Sequence, residues 1–359
     1  MSTRSVVPFG PQHPVLPEPI HLDLVLEDEL VVEAIPSIGF IHRGLEKLVE
    51  KKDFGEFVYV AERICGICSF MHGMGYCEAV ERTMKIEIPN RAKYLRTIWS
   101  EMSRIHSHLL WLGLLADAFG FESLFMESWR MREKILDMFE YSTGGRVIFS
   151  VNKIGGQRKD MSNDMIMDFV GILDGMEKEI KALSNTFLLD YAVKSRLDGV
   201  GILTKQQAHD LGAVGPFMRA SGIHLDTRNL GYGAYSELSF EPITSDVGDS
   251  YARTDVRIRE IYQSIDLIRQ AAQKIPDGEF AVPVKGFPSG EYMMRVEQPR
   301  GEAIYYVKAN GTKNLDRMRV RTPTFANIPG LVETLKGCQL ADVPILILTI
   351  DPCISCTER

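Results

Sequence analysis

The sequence predicts an α+β fold, mainly α, in which a central bundle of long helices carries small antiparallel β-sheets from the N- and C-terminal parts. Three observations lead there: period-two alternation near the start, apolar residues at spacings of three and four through the middle, and a return to strand character near the end.

At the start, His21, Asp23 and Val25 alternate with Leu22, Leu24 and Leu26. The acidic turn Glu27-Asp28-Glu29 then leads into Leu30, Val31 and Val32, which predicts a hairpin. Over residues 90–113, Leu95, Ile98, Met102, Ile105, Leu109 and Leu112 mark an amphipathic helix. Residues 161–189 and 255–275 read as two further long helices, the second through Val256, Ile258, Ile261, Ile265 and Ile268. Residues 292–296 and 303–307 flank the turn Pro299, Arg300 and Gly301, which predicts a second small sheet. The apolar run 343–350 reads as a buried strand. The organisation expected is a β-rich segment 1–60, a helical core 61–280 and a β-rich segment 281–359, forming one compact unit.

Composition narrows the function. A chain of 359 residues, 45% hydrophobic, buries a sizeable core. A formal net charge of -7 with interspersed signs offers no basic stripe for phosphates, so nucleic acid is not an expected partner. No apolar run approaches the roughly 20 residues needed to span a bilayer. The first ten residues lack a signal-peptide pattern, so a cytoplasmic setting with reduced thiols is expected.

Four of the six cysteines form two pairs, Cys65-Gly66-Ile67-Cys68 and Cys353-Ile354-Ser355-Cys356, leaving Cys77 and Cys338 over. Two Cys-x-x-Cys pairs can present four thiolates to one metal centre. A structural zinc would take the same ligands, so spacing alone leaves zinc and a redox metal open. Flanking residues favour a buried site, since one pair opens a helix and the other closes the apolar run.

With those residues in view, Arg63-Ile64-Cys65-Gly66-Ile67-Cys68 with His72, and Asp351-Pro352-Cys353-Ile354-Ser355-Cys356, resemble the two signature motifs of nickel–iron hydrogenase large subunits. The resemblance runs nearly the whole chain: His42-Arg43-Gly44-Leu45-Glu46 and Pro299-Arg300-Gly301 stand where that family has its intermediate motifs. It implies a nickel–iron centre with carbonyl and cyanide on iron, Cys65 and Cys353 as terminal nickel thiolates, and Cys68 and Cys356 as bridging ones. Soft thiolates suit nickel against harder competitors.

Around the cysteines, His72 lies one helical turn after Cys68, where a ring N–H can reach a sulfur; the alternative is a satisfied core histidine. The resemblance sets His72, Pro299 and Asp351 beside the cofactor and places the Arg300 guanidinium over the cyanides, for which a donor fork is well shaped. Otherwise Arg300 is a surface turn residue. Asp351 is either buried beside Arg300 or backbone donors, or simply a turn starter. Glu18 matches the family glutamate that relays protons from a terminal thiolate, work that suits a buried carboxyl of raised pKa.

Glu46 resembles a ligand of a second ion, usually magnesium, in which a C-terminal histidine also takes part. This chain has Arg359 there, and Glu46 could instead start an exposed helix or pair with Arg43. Ser107 stands where many uptake hydrogenases carry an aspartate near the active-site arginine. The end after Cys356 resembles a mature, processed form.

Residues 10–14, 104–113, 212–223 and 248–260 also look like the quinone-site subunit of respiratory complex I, which marks the energy-converting, membrane-bound group. That resemblance implies reversible 2H⁺ + 2e⁻ ⇌ H₂, an iron–sulfur small subunit, a ferredoxin-like electron-transfer subunit, reduced ferredoxin as donor, and ion-moving integral membrane subunits. It sets the chain on the cytoplasmic face of the membrane as a peripheral part. Two other readings remain: a complex I-like electron-transfer subunit with a quinone site, and a zinc-stabilised scaffold without catalysis.

Overall fold

The computed structural model describes residues 4–359, and it has long helices at the centre with three small antiparallel sheets beside them. The N-terminal sheet runs Arg4–Phe9, His21–Glu27 and Leu30–Ser37 in sequence order. Its middle pair turns at the acidic tripeptide, with Glu27 opposite Leu30, because the buried Leu22, Leu24 and Leu26 must all face one side.

The helix Asn90–Ala118 forms the axis. It packs along Glu122–Thr143 on one side and Ser250–Lys274 on another. It is buried on nearly every side, so its charges must be paired within the core: Glu101 receives Arg104 at 3.2 Å, and His108 meets Glu260 at 3.0 Å. The helix Asn163–Leu189 begins where the Ser162 hydroxyl accepts the Met165 N–H, and Ser250–Lys274 where the Asp249 carboxylate accepts the Ala252 N–H. That second cap starts the helix five residues earlier than the expected 255. Glu122–Thr143 was not among the expected elements, although Met131, Ile135, Met138 and Phe139 are buried at helical spacing.

The third sheet holds Ser289–Gln298, Gly301–Asn310 and Leu315–Arg321. Gln298 pairs with Gly301, so Pro299 and Arg300 form a two-residue hairpin tip. The first two strands lie against the helix Ser69–Met84.

The run 343–350 is not a strand. Val343–Thr349 is a helix, packed against Asn90–Ala118, with the Trp111 indole N–H donating to the Leu348 carbonyl at 2.6 Å. A wholly buried run has no alternation to separate strand from helix, and a helix satisfies its own backbone groups without a neighbouring strand. Pro344 fits because it falls in the first turn, where its missing N–H costs nothing. The segment 281–359 is accordingly β-rich only as far as Arg321; Pro323–Leu335, Val343–Thr349 and Ile354–Glu358 are helices. The second cysteine pair therefore follows a helix and opens another.

Candidate metal centre

Cys68 stands at the N-cap of the helix Ser69–Met84, and Cys353 at the N-cap of Ile354–Glu358. Both pairs thus sit where a loop enters a helix. Cys65 Sγ accepts from the Ile67 and Cys68 N–H groups at 3.2 and 3.5 Å. Across the site Cys65 Sγ lies 3.4 Å from Cys353 Sγ, and Cys68 Sγ 3.5 Å from Cys356 Sγ. All four thiols are buried and free of disulfides. The other two cysteines, Cys77 and Cys338, take no part in this cluster.

Other contacts hold the two cysteine segments together. Arg43 donates to the carbonyls of Arg63 and Ile64 at 3.0 and 2.7 Å, and to that of Ser355 at 3.0 Å. A single guanidinium thus bridges segments almost three hundred residues apart, a task for which a planar donor fork is suited. Thr324 Oγ1 accepts the Cys353 N–H at 3.1 Å, and Thr322 Oγ1 donates to the Cys356 carbonyl at 3.1 Å.

The hairpin tip delivers Arg300. Its Nη2 meets Asp351 Oδ1 at 2.8 Å, its Nε donates to the Asp351 carbonyl at 2.9 Å, and its Nη1 donates to Ser107 Oγ at 3.3 Å. Arg300 is buried, so it is not a surface turn residue, and Asp351 is buried beside it. Pro299 is the tip residue before Arg300 and is itself buried. The tip can approach because Gly301 and Gly215 lie against each other: a Cβ on Gly215 would fall 2.2 Å from the Gly301 Cα, and both have positive φ.

His72 is fully buried one turn after Cys68, with Nε2 3.3 Å from Cys356 Sγ. Burial pushes its pKa down to about 4, so the ring is neutral. Glu18 accepts the backbone N–H of Ile354. Burial and the Cys353 sulfur push its carboxyl up to about 8, against the opposing pull of Arg300 and the N–H groups of Ile354 and Ser355.

Electrostatics limit what the quartet can hold alone. Hydrogen bonds from Cys353 and Cys356 lower the Cys65 thiol. Burial would raise Cys68, but bonds from Cys356 and Cys65 win and bring it to about 6. The bond to Cys356 lowers Cys353, yet the bond to Cys65 and burial outweigh it and lift the thiol to about 11. Burial and its bonds to the other three sulfurs raise Cys356. The four buried sulfurs thus pull one another in opposite directions, and holding all of them as thiolates needs added positive charge. A soft, multiply charged metal centre fits this donor set.

Magnesium does not fit at Glu46. Its carboxylate is taken by Arg359 Nε at 2.8 Å, Arg319 Nη1 at 2.9 Å and the Val320 N–H at 2.8 Å, so two guanidinium groups already supply the positive charge. Glu46 also does not pair with Arg43, which is spent on carbonyls; it sits at the start of the short helix Leu45–Leu48.

Sequence reading missed Tyr305, whose hydroxyl lies 2.5 Å from His72 Nδ1, and Thr322 and Thr324, which hydrogen-bond the second cysteine segment from the start of the helix Pro323–Leu335. No local signal marks them, because each meets its partner only through the fold.

Compared with known proteins, residues 118–287 and 283–359 match the model of the respiratory-chain NADH dehydrogenase 49 kDa subunit, and residues 43–117 that of nickel-dependent hydrogenase. The membrane-bound hydrogenase subunit alpha of Pyrococcus furiosus is 37% identical over 98% of this chain and 87% of its own length. The carbon monoxide-induced hydrogenase of Rhodospirillum rubrum is 37% identical over the whole of both chains. Among solved structures, a chain of the membrane-bound sulfane sulfur reductase, an archaeal respiratory membrane complex, superposes with a TM-score of 0.94 at 30% identity, covering 99% of this chain and 98% of that one.

Proposed function

Because the chain belongs to the family that unites nickel-dependent hydrogenases with the 49 kDa subunit of the respiratory-chain NADH dehydrogenase, we propose that it is the catalytic large subunit of a nickel–iron hydrogenase within a membrane-bound complex. The reaction is reversible 2H⁺ + 2e⁻ ⇌ H₂. The observation that supports this most is the convergence of Cys65, Cys68, Cys353 and Cys356 in one buried cluster.

In this reading Cys65, Cys68, Cys353 and Cys356 would hold the metal centre through their sulfurs. A bound nickel–iron centre, with carbonyl and cyanide on iron, supplies the redox chemistry of the H–H bond. The protein's own groups do the rest. Arg300, held by Asp351 and Ser107, offers fixed donors to anionic iron ligands and lowers the cost of negative charge at the sulfurs. Glu18, whose carboxyl is pushed up to about 8, takes and returns the proton of the Cys353 sulfur. The four cysteines lie within the buried apolar core, which keeps water from the cluster.

Electrons must come from a partner. Cys77 and Cys338 lie outside the cluster, and among the described residues no second group of cysteines gathers that could hold an iron–sulfur cluster. We therefore infer an iron–sulfur small subunit, a ferredoxin-like electron-transfer subunit fed by reduced ferredoxin, and integral membrane subunits that move ions. Among the described residues no helix is long and apolar enough to cross a membrane; the relatives that belong to membrane-bound complexes support a peripheral place in such a complex, and we infer that the chain lies on the cytoplasmic face.

An infrared spectrum of the purified complex tests the proposal. Bands from metal-bound carbonyl and cyanide are expected, and their absence from active, fully loaded protein would overturn it. The match of residues 118–359 to the 49 kDa subunit supports a second reading, an electron-transfer subunit with a quinone site. That reading expects no nickel, so metal analysis separates the two.

A further inference from the structure

We infer that Tyr305 is a positioning residue that fixes the tautomer of His72 and, through it, the hydrogen bond to the Cys356 sulfur; this rests on reading Cys356 as a metal ligand. Four buried groups form one chain. Gln298 Nε2 donates to Tyr305 Oη at 3.1 Å, Tyr305 Oη lies 2.5 Å from His72 Nδ1, and His72 Nε2 lies 3.3 Å from Cys356 Sγ.

The direction of each bond follows from chemistry. The Gln298 amide nitrogen can only donate, so the tyrosine oxygen accepts from it and uses its single proton elsewhere. The acceptor in reach is His72 Nδ1. A neutral imidazole that accepts at Nδ1 carries its proton on Nε2, which is the nitrogen facing the sulfur. Without the tyrosine hydroxyl, the proton is free to move to Nδ1 and leave a lone pair facing a sulfur lone pair. Groups that orient a ligand's hydrogen-bond partner tune the electron density on that ligand and hence the metal.

The fold makes room for this chain at a cost. Gln298 and Tyr305 sit on neighbouring strands of the hairpin that carries Arg300, and His72 on the helix Ser69–Met84. Gly75, one turn beyond His72, is covered by the Tyr305 ring: a Cβ there would lie 2.4 Å from Cε2 and 2.7 Å from Cδ2. A glycine inside a helix costs about 1 kcal/mol relative to alanine. What it provides is passage for one tyrosine to reach the histidine.

The test uses the intact complex with three variants: Tyr305→Phe, Gln298→Leu and Gly75→Ala. Metal content, the infrared bands of the metal-bound diatomics and turnover are measured on each. Tyr305→Phe is expected to keep nickel and iron, to move the bands and to lower kcat about ten-fold with KM unchanged. Gln298→Leu should move the bands the same way by less. Gly75→Ala, which displaces the ring with its hydroxyl intact, should reproduce the tyrosine variant's shift. Native band positions in a fully loaded Tyr305→Phe complex would overturn the inference. If that variant does not load, native band positions in Gln298→Leu do so instead. A native complex without nickel and without bands sinks the reading of Cys356 itself, which is a distinct result.

Discussion

Arg300 and Asp351, 51 residues apart in sequence, meet twice: guanidinium to carboxylate at 2.8 Å and guanidinium Nε to the Asp351 carbonyl at 2.9 Å. The second contact fixes the backbone just before the second cysteine pair. Asp351 has a φ of 55°, a conformation that aspartate and asparagine tolerate better than most residues. The pair therefore joins the hairpin tip to the turn that presents Cys353.

Asp351→Asn keeps that backbone and the side-chain volume while leaving the buried Arg300 charge without its carboxylate. A destabilisation of about 3 kcal/mol is expected, from the cost of stranding one member of a buried pair. Chemical denaturation of the variant checks it, and a loss below about 1 kcal/mol would contradict the burial described.

Cys353→Ser replaces a soft thiolate with a hard hydroxyl at the same position. Nickel content and hydrogen activity should both be lost, as read by metal analysis and hydrogen evolution. Cys77→Ser is the control. Cys77 is buried outside the cluster, so nickel should stay at the native level; equal nickel loss in both variants would break the link to the quartet.

Glu18→Gln removes a titrating group but keeps the acceptor for the Ile354 N–H. The metals should remain, while hydrogen–deuterium exchange slows by about 100-fold or more, the usual contribution of a positioned acid–base group. Exchange at the native rate would end the proton-relay assignment.

Glu62 gives a pH dependence of stability. Burial pushes its carboxyl up to about 7 from the ordinary 4.5, against opposing hydrogen bonds from Ser150 and Asn152. The folded chain then holds a proton that the unfolded chain releases. Its contribution is least unfavourable below about 4.5, worsens as pH rises towards 7, and is level above that. Glu62→Gln should gain up to about 3 kcal/mol on the native protein across that window. A stability difference that does not vary with pH would show the carboxyl to be unperturbed.

Much of the architecture was legible in the chain itself. Alternation at Leu22, Leu24 and Leu26 and helical spacing from Leu95 to Leu112 mark elements whose one face must be buried, and such periods survive in any fold that buries them. The run 343–350 was illegible for the opposite reason. Burial on all sides erases the period, and only the neighbouring Asn90–Ala118 helix made a helix the satisfied choice there.

The donors are written in the chain: two Cys-x-x-Cys pairs, a histidine one turn after the first, and an arginine at a hairpin tip, because spacing within one element sets which side chains share a face. Which of them meet depends on the packing of distant elements. The Arg43 bridge, the Arg359 guanidinium on Glu46, and the tyrosine behind His72 all join residues more than two hundred positions apart. Their encounters depend on how separate helices and strands pack, and no local period encodes that.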